Sequence, residues 1–382
     1  MTSDTSRSDA SRSDTSASDT SRSSTPAPLL LGPNQPADRP YRGGAGIARF
    51  RGTPQPSPFT PEDFVASATE VHAGGGVGLT TLPDGRTLRD AVREDPIAYL
   101  GEAHVRRFGA DPMLLVKLLD TAERLFVHYH PDDDFAAAHL GSPLGKTEAW
   151  IVVDVDGGDT GTASLGFSRP VSETEVAHWF TGQDAADMLG AMNTVELGRG
   201  DTLLVPAGLA HAIGPGLTLV ELQQPTDLSI LLEYDGYNGL TIDDALLGLD
   251  LDTAIAGLDR RAVDAEQLQV LARRRGAAPL ETLFPDRADA FFSAERIRID
   301  GTTRLDPAYS VLVVLDGSGT LAFEGGSLPL ASGSTVLTMH GSGPVEIAGA
   351  LTLIRCRPPR ALPRAAPPPR VFLAAGLPTD VI

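Results

Sequence analysis

Two stretches, Leu125-Phe-Val-His128-Tyr-His130-Pro-Asp-Asp-Asp134 and Leu144-Gly-Lys146-Thr-Glu148-Ala-Trp150, decide how the chain is read. A third, Gly200-Asp-Thr-Leu-Leu-Val-Pro206-Ala-Gly208-Leu-Ala-His211, closes the pattern. His128 and His130 stand two apart in a β-like run, so both side chains leave the same face of the strand. Glu148 opens an apolar run through Val153 that reads as a second strand. His211 follows a Pro-x-Gly turn that ends a third. A single buried histidine is more often a satisfied core residue than a ligand. Three imidazoles and one carboxylate able to converge on a point form a metal-ligand set instead. It suits one divalent ion per chain, Zn2+ first and Mn2+, Fe2+, Co2+ or Ni2+ after it.

Around these stretches the chain is long enough for two or more domains, at 382 residues, with 41% apolar residues, as in ordinary soluble globules. A formal charge of −19 argues against a nucleic-acid partner and against an anionic membrane surface. No apolar run approaches the roughly 20 residues of a membrane span. The single cysteine, Cys356, excludes an internal disulfide and fits a reducing compartment, so the expected location is the cytoplasm. Nothing in the sequence specifies an oligomeric state. Glycine-rich phosphate loops, dinucleotide fingerprints and Ser/His/Asp arrangements are lacking.

In chain order, residues 1–36 begin with a repeated five-residue unit, Ser-Asp-Thr-Ser-Arg and its variants. The repeat holds no apolar side chain larger than alanine and cannot offset its ordering entropy, so a disordered tail is expected there. Residues 47–51 read as a short strand. Residues 95–125 carry helical periodicity, with Leu114, Leu115, Leu118 and Leu119 recurring after Asp111-Pro112. Lys117 lies among them as the one charge, and by itself reads as a snorkelling surface lysine. Strands are expected at 149–154, 165–167, 202–205, 217–223 and 229–234, with a helical patch near 184–191. Residues 238–288 read as a helical connector and 289–356 as a second β domain, whose only histidine, His340, offers no second metal centre. The end, 357–382, is Pro-rich and expected to be extended. The fold class is mainly β, with the metal set in a first domain at 37–237.

The His-x-His, the later acid and the Gly-x5-Pro-x-Gly-x2-His element together resemble the two-part signature of the cupins. Glu148, eighteen residues after His130, comes later than the usual cupin acid. That enlarged insert, with Leu144-Gly-Lys-Thr-Glu-x-Trp150 and His211-Ala-Ile-Gly-Pro-Gly-Leu-Thr-Leu-Val-Glu221-Leu-Gln223-Gln224-Pro-Thr-Asp227, is similar to the class I mannose-6-phosphate isomerases from about Arg42 to Arg355. The resemblance implies two cupin-like jelly-roll β-sandwich domains joined by the helical connector. It also implies an aldose–ketose isomerase working on mannose 6-phosphate and fructose 6-phosphate through a cis-enediol. Its metal ligands would be His128, His130, Glu148 and His211, and its catalytic residues Lys146, Glu221, Asp227 and Lys117. In the family an arginine follows in Asp-Thr-Thr-Tyr-Arg-x-Tyr-Asp, whereas here Leu231 stands at its place in Asp227-Leu-Ser-Ile-Leu-Leu-Glu-Tyr-Asp235. Leu231 keeps open an unphosphorylated or different sugar as substrate, Arg42 as a replacement cation, and a non-catalytic sugar-binding cupin.

Overall fold

The computed structural model describes residues 1, 26–72 and 74–360. The Ser-Asp repeat at 2–25 and the Pro-rich end at 361–382, both read as tails, lie outside the described residues. Three antiparallel sheets organise the rest. The first runs in the order Ala272–Arg273 (β12), Thr202–Val205 (β8), Glu148–Val155 (β5), Leu217–Gln223 (β10), Leu115–Asp120 (β3) and Glu62–Val65 (β2). The second has Ile230–Leu231 (β11), His128–Tyr129 (β4), His211–Ile213 (β9), Thr160–Phe167 (β6) and Met192–Gly198 (β7). These two sheets face each other as a β-sandwich, and their inner faces hold the histidines, Glu148, Trp150, Lys117 and Glu221.

The outer faces are covered differently. Outward-facing Val127, Tyr129, Ala210 and Ala212 of the second sheet pack against helices at Glu173–Gly182, Ala185–Gly190 and Leu251–Ala256, through Val176, Trp179, Phe180, Met188 and Ile255. Outward-facing Val116, Leu118, Ile151 and Val220 of the first sheet share a core with Val311, Val313 and Ile354 of the third. The third sheet runs Leu29–Leu31 (β1), Thr335–Thr338 (β17), Ser310–Phe323 (β15), Val345–Arg357 (β18), Ser293–Leu305 (β14) and Leu280–Thr282 (β13). Gly326–Ala331 (β16) pairs with the end of β15 as a hairpin. Its other face closes on itself around Leu312, Val314, Val336, Ile347 and Leu353. Val311 to Val314 are apolar at every position because both faces of this strand are buried. The molecule is mainly β, with two β-sandwich halves.

Four expectations are corrected. Residues 114–119 form strand β3, not a helix: an apolar run carries both periods, and burial on both faces selected the strand. Gly46–Arg51 is a helix rather than a strand, because the Asp120 carboxylate accepts from Gly46 N at 2.5 Å and Ile47 N at 3.3 Å at its start. Gly52, with φ 65°, ends it. Residues 29–31, expected to be disordered, instead form a strand paired with β17. The strand expected at 229–234 is reduced to Ile230–Leu231.

Candidate metal centre

Period-two alternation on β4 sends His128 inward and Tyr129 outward, where its hydroxyl donates to Ala254 O. His130, immediately after the strand, returns inward. His211 is the cross-strand partner of His128 on β9. The three rings sit 4.0–5.0 Å apart between centroids. Each Nδ1 faces a backbone carbonyl: His128 donates to Phe126 O at 3.0 Å, His130 to Leu228 O at 2.9 Å and His211 to Leu209 O at 3.0 Å. With Nδ1 protonated, every Nε2 is left as a bare lone pair facing the cluster. Burial, reinforced by the neighbouring imidazoles, holds His128 well below the ordinary imidazole value. Burial and the Lys146 charge push His130 down to about 3. Both are neutral ligands at pH 7.

Glu148 enters from the facing sheet at the start of β5. Its Oε2 lies 2.9 Å from His130 Nε2 and its Oε1 3.3 Å from His211 Nε2. Trp150 Nε1 donates to Oε1 at 3.0 Å. Burial opposes the charge on Glu148, but Lys146 and His130 outweigh it and keep the carboxyl ionised. Acceptors that close must share a cation, and one of them, His211 Nε2, is buried without a hydrogen-bonded donor. The four side chains therefore fit a divalent ion. Among the described residues, His128, His130 and His211 are the only grouping of metal-ligand type. Lys146 reaches the same point, its Nζ 2.9 Å from Glu148 Oε2 and 3.0 Å from His130 Nε2.

Beside this cluster lies a second set of charges. Glu221 on β10 stands opposite both Lys117 on β3 and Trp150 on β5, so all three share the inner face. Lys117 Nζ is 3.0 Å from Glu62, 3.6 Å from Glu221 and 3.8 Å from Asp227. Burial would discharge Lys117, yet these carboxylates hold its pKa above the ordinary lysine value. Lys117 is therefore a buried, ion-paired cation rather than a snorkelling surface lysine. Asp227 also accepts from His72 N at 3.2 Å and faces Arg39 at 3.6 Å. Burial raises Asp227, but Arg39, Lys117 and Lys146 together bring it down to about 2. Glu221 Oε1 is buried without a hydrogen-bonded donor. Burial, then the Glu148 charge, lifts Glu221 to about 7.

Glu62 and Arg39, which hydrogen-bond each other, escaped the sequence reading. No motif marks them; the alternation of the short β2 run, which places Glu62 on the same face as Phe64, was the one available signal. Arg42, the suggested replacement cation, is elsewhere: it is exposed over the Phe59 ring at 5.2 Å. Leu231 is buried opposite His128.

Residues 281–358 match the family described as mannose-6-phosphate isomerase, cupin domain. Over 316 residues the chain is 27% identical to the mannose-6-phosphate isomerase ManA of Bacillus subtilis, covering 80% of this chain and 92% of that protein. The chain is thus similar along most of its length to mannose-6-phosphate isomerases. The "Probable mannose-6-phosphate isomerase GmuF" of Bacillus subtilis is 33% identical over 198 residues, 51% of this chain. That alignment spans 58% of GmuF, a little over half its length. The crystal structure of the mannose 6-phosphate isomerase from Bacillus subtilis superposes with a TM-score of 0.65 at 23% identity, over 87% of this chain and 100% of that one. At that identity the likeness establishes the mannose-6-phosphate isomerase fold.

Proposed function

We propose that the protein is a metal-dependent aldose–ketose isomerase that interconverts mannose 6-phosphate and fructose 6-phosphate. The observation that carries this is a buried carboxylate oxygen of Glu221 that accepts no hydrogen bond and has only Lys117 at 3.6 Å, its pKa near 7, beside three imidazoles and Glu148. His128, His130, Glu148 and His211 would hold the ion, zinc in the first instance. Bound there, it supplies Lewis-acid polarisation of the substrate carbonyl. Glu221 takes the C2 proton of the aldose and returns it to C1, passing through the cis-enediol, while the O2 proton moves to O1. Lys146 donates to a substrate oxygen. Asp227, ionised and held by Arg39, Lys117 and the His72 amide, orients rather than abstracts.

Removal of water and competing ions is left to the sandwich, which buries these groups except Asp227 and Arg39, both partly exposed. Leu231 favours a second reading within the same chemistry, an unphosphorylated or different sugar, because strand β11 offers no charge to a phosphate. A cytoplasmic location accords with the buried, unpaired Cys356. Among the described residues no helix is long and apolar enough to cross a membrane. The test is metal analysis of the purified protein with assays on hexose phosphates and free hexoses. About one divalent ion per chain is expected. Chelation should abolish turnover and added metal restore it. No isomerisation of any hexose by metal-loaded protein would overturn the reading in favour of a non-catalytic sugar-binding cupin.

A further inference from the structure

Exposure rises along the charged groups beside the metal cluster: Lys117 is 2% exposed, Glu221 3%, Glu62 4%, Asp227 12% and Arg39 19%. Arg39 is therefore the cation that a solute entering from solvent meets first. We propose that Arg39 is the specificity-determining residue that holds the phosphate of the substrate while the carbonyl end lies at the histidine cluster; this rests on the isomerase reading above.

The geometry of the guanidinium is suited to it. Nε donates to Glu62 and Nη2 faces Asp227, while Nη1 has no partner among the described residues. Two carboxylates thus fix the plane of the fork and leave one edge open, so little side-chain entropy is lost when an anion docks. Burial would weaken the charge of Arg39, but Glu62 and Asp227 reinforce it, so the residue stays cationic. The alternatives are committed elsewhere. Lys117 is enclosed by three carboxylates, and Lys146 touches Glu148 and His130. Leu231 is apolar, and Arg42 lies over Phe59. Arg39, Lys117 and Lys146 stand against Glu62, Glu148, Glu221 and Asp227, a net charge of −1 with all carboxyls ionised. The divalent ion that the ligands fit turns this to +1, so the field draws a phosphate dianion in.

The experiment compares wild type, Arg39→Lys and Arg39→Gln on mannose 6-phosphate and on free mannose, with metal content and melting temperature as controls. Removing a charge-assisted hydrogen bond to the phosphate should lower kcat/KM on mannose 6-phosphate by about 10- to 100-fold, carried mainly by KM. Free mannose, which also uses the Asp227 that Arg39 holds, should lose less. The ratio of kcat/KM for mannose 6-phosphate to that for mannose should therefore fall by at least about fivefold. The lysine variant, which keeps charge without the fork, should fall between. Equal losses on both sugars, or none, would overturn the proposal and leave Arg39 as a structural brace. Calorimetric binding of mannose 6-phosphate separates the two readings. A wild type that binds it without turnover, and more tightly than Arg39→Gln by the same factor, sustains Arg39 while the isomerase reading fails. A wild type that turns over free mannose but does not bind mannose 6-phosphate overturns Arg39 alone. If Arg39→Gln does not fold, Arg39→Lys with an unchanged melting temperature decides the matter by the same KM comparison.

Discussion

Glu221, buried, and Asp227, partly buried, both lie beside Lys117, yet their pKa values move in opposite directions. Burial and Glu148 lift Glu221 to about 7, whereas the cations around Asp227 overcome its burial and bring it to about 2. A base must be ionised to accept a proton, so kcat should rise with pH up to about 7 and then level. Glu221→Gln should lower kcat by about 10^2- to 10^4-fold with metal content unchanged. Stability follows the same shifts. Glu221 binds its proton more tightly when folded than at its ordinary 4.5. Its stabilising contribution is therefore complete below that pH and is lost as pH rises through about 7. Asp227 contributes above its ordinary 3.8 and loses that contribution as pH falls through about 2. Urea midpoints across this range should show the decline between pH 4.5 and 7 in wild type and its absence in Glu221→Gln. An unaltered slope in the variant would mean another group carries the change.

At the scale of elements, the short strands β4, β9 and β11 do the aligning. His128 is paired on one side with His211 and on the other with Leu231, so the histidine cluster lies at the centre of these paired strands. Leu231 packs in the core there. Leu231→Arg would place an unpaired charge beside ligands meant for a cation, and a buried unpaired charge is costly. The expected outcome is weaker metal retention and at least roughly a tenfold loss of kcat/KM on mannose 6-phosphate. A gain in kcat/KM would show that β11 carries the phosphate site and Arg39 does not. Strand β3 has a comparable part. Removing its charge in Lys117→Met would leave Glu62, Glu221 and Asp227 crowded without their cation, at a cost of about 3–5 kcal/mol in urea unfolding.

Across the whole molecule, the two halves are joined by a buried arginine. Arg51 is 2.7 Å from Asp63, and its Nη1 donates to Leu31 O at 3.2 Å and to Thr335 Oγ1 at 2.7 Å. One guanidinium thus links the helix of the first half to strands β1 and β17 of the second. Arg51→Met would leave Asp63 buried and unpaired, costing about 3–5 kcal/mol by denaturant unfolding. Strand β1 makes the same point about chain ends. A protein starting at residue 37 loses the Leu29–Leu31 pairing and should be about 2–4 kcal/mol less stable than one starting at residue 26. Equal urea midpoints for the two would show that β1 contributes nothing.

Local rules of the chain were enough to bring out the β class and the inward aim of His128 and His130. Alternation along a strand is such a rule, and so is the turn that delivers His211. They could not distinguish strand from helix at 114–119, where apolar residues satisfy both periods and only burial on two faces decides. Nor could they mark Glu62 and Arg39, or the helix at Gly46–Arg51. Arg39 meets Asp227, and His72 meets the same carboxylate across 155 residues of chain. Asp120 reaches Gly46 across 74. Contacts at such separations exist only once the sheets have stacked, because burial and charge pairing are properties of assembled surfaces rather than of neighbouring residues.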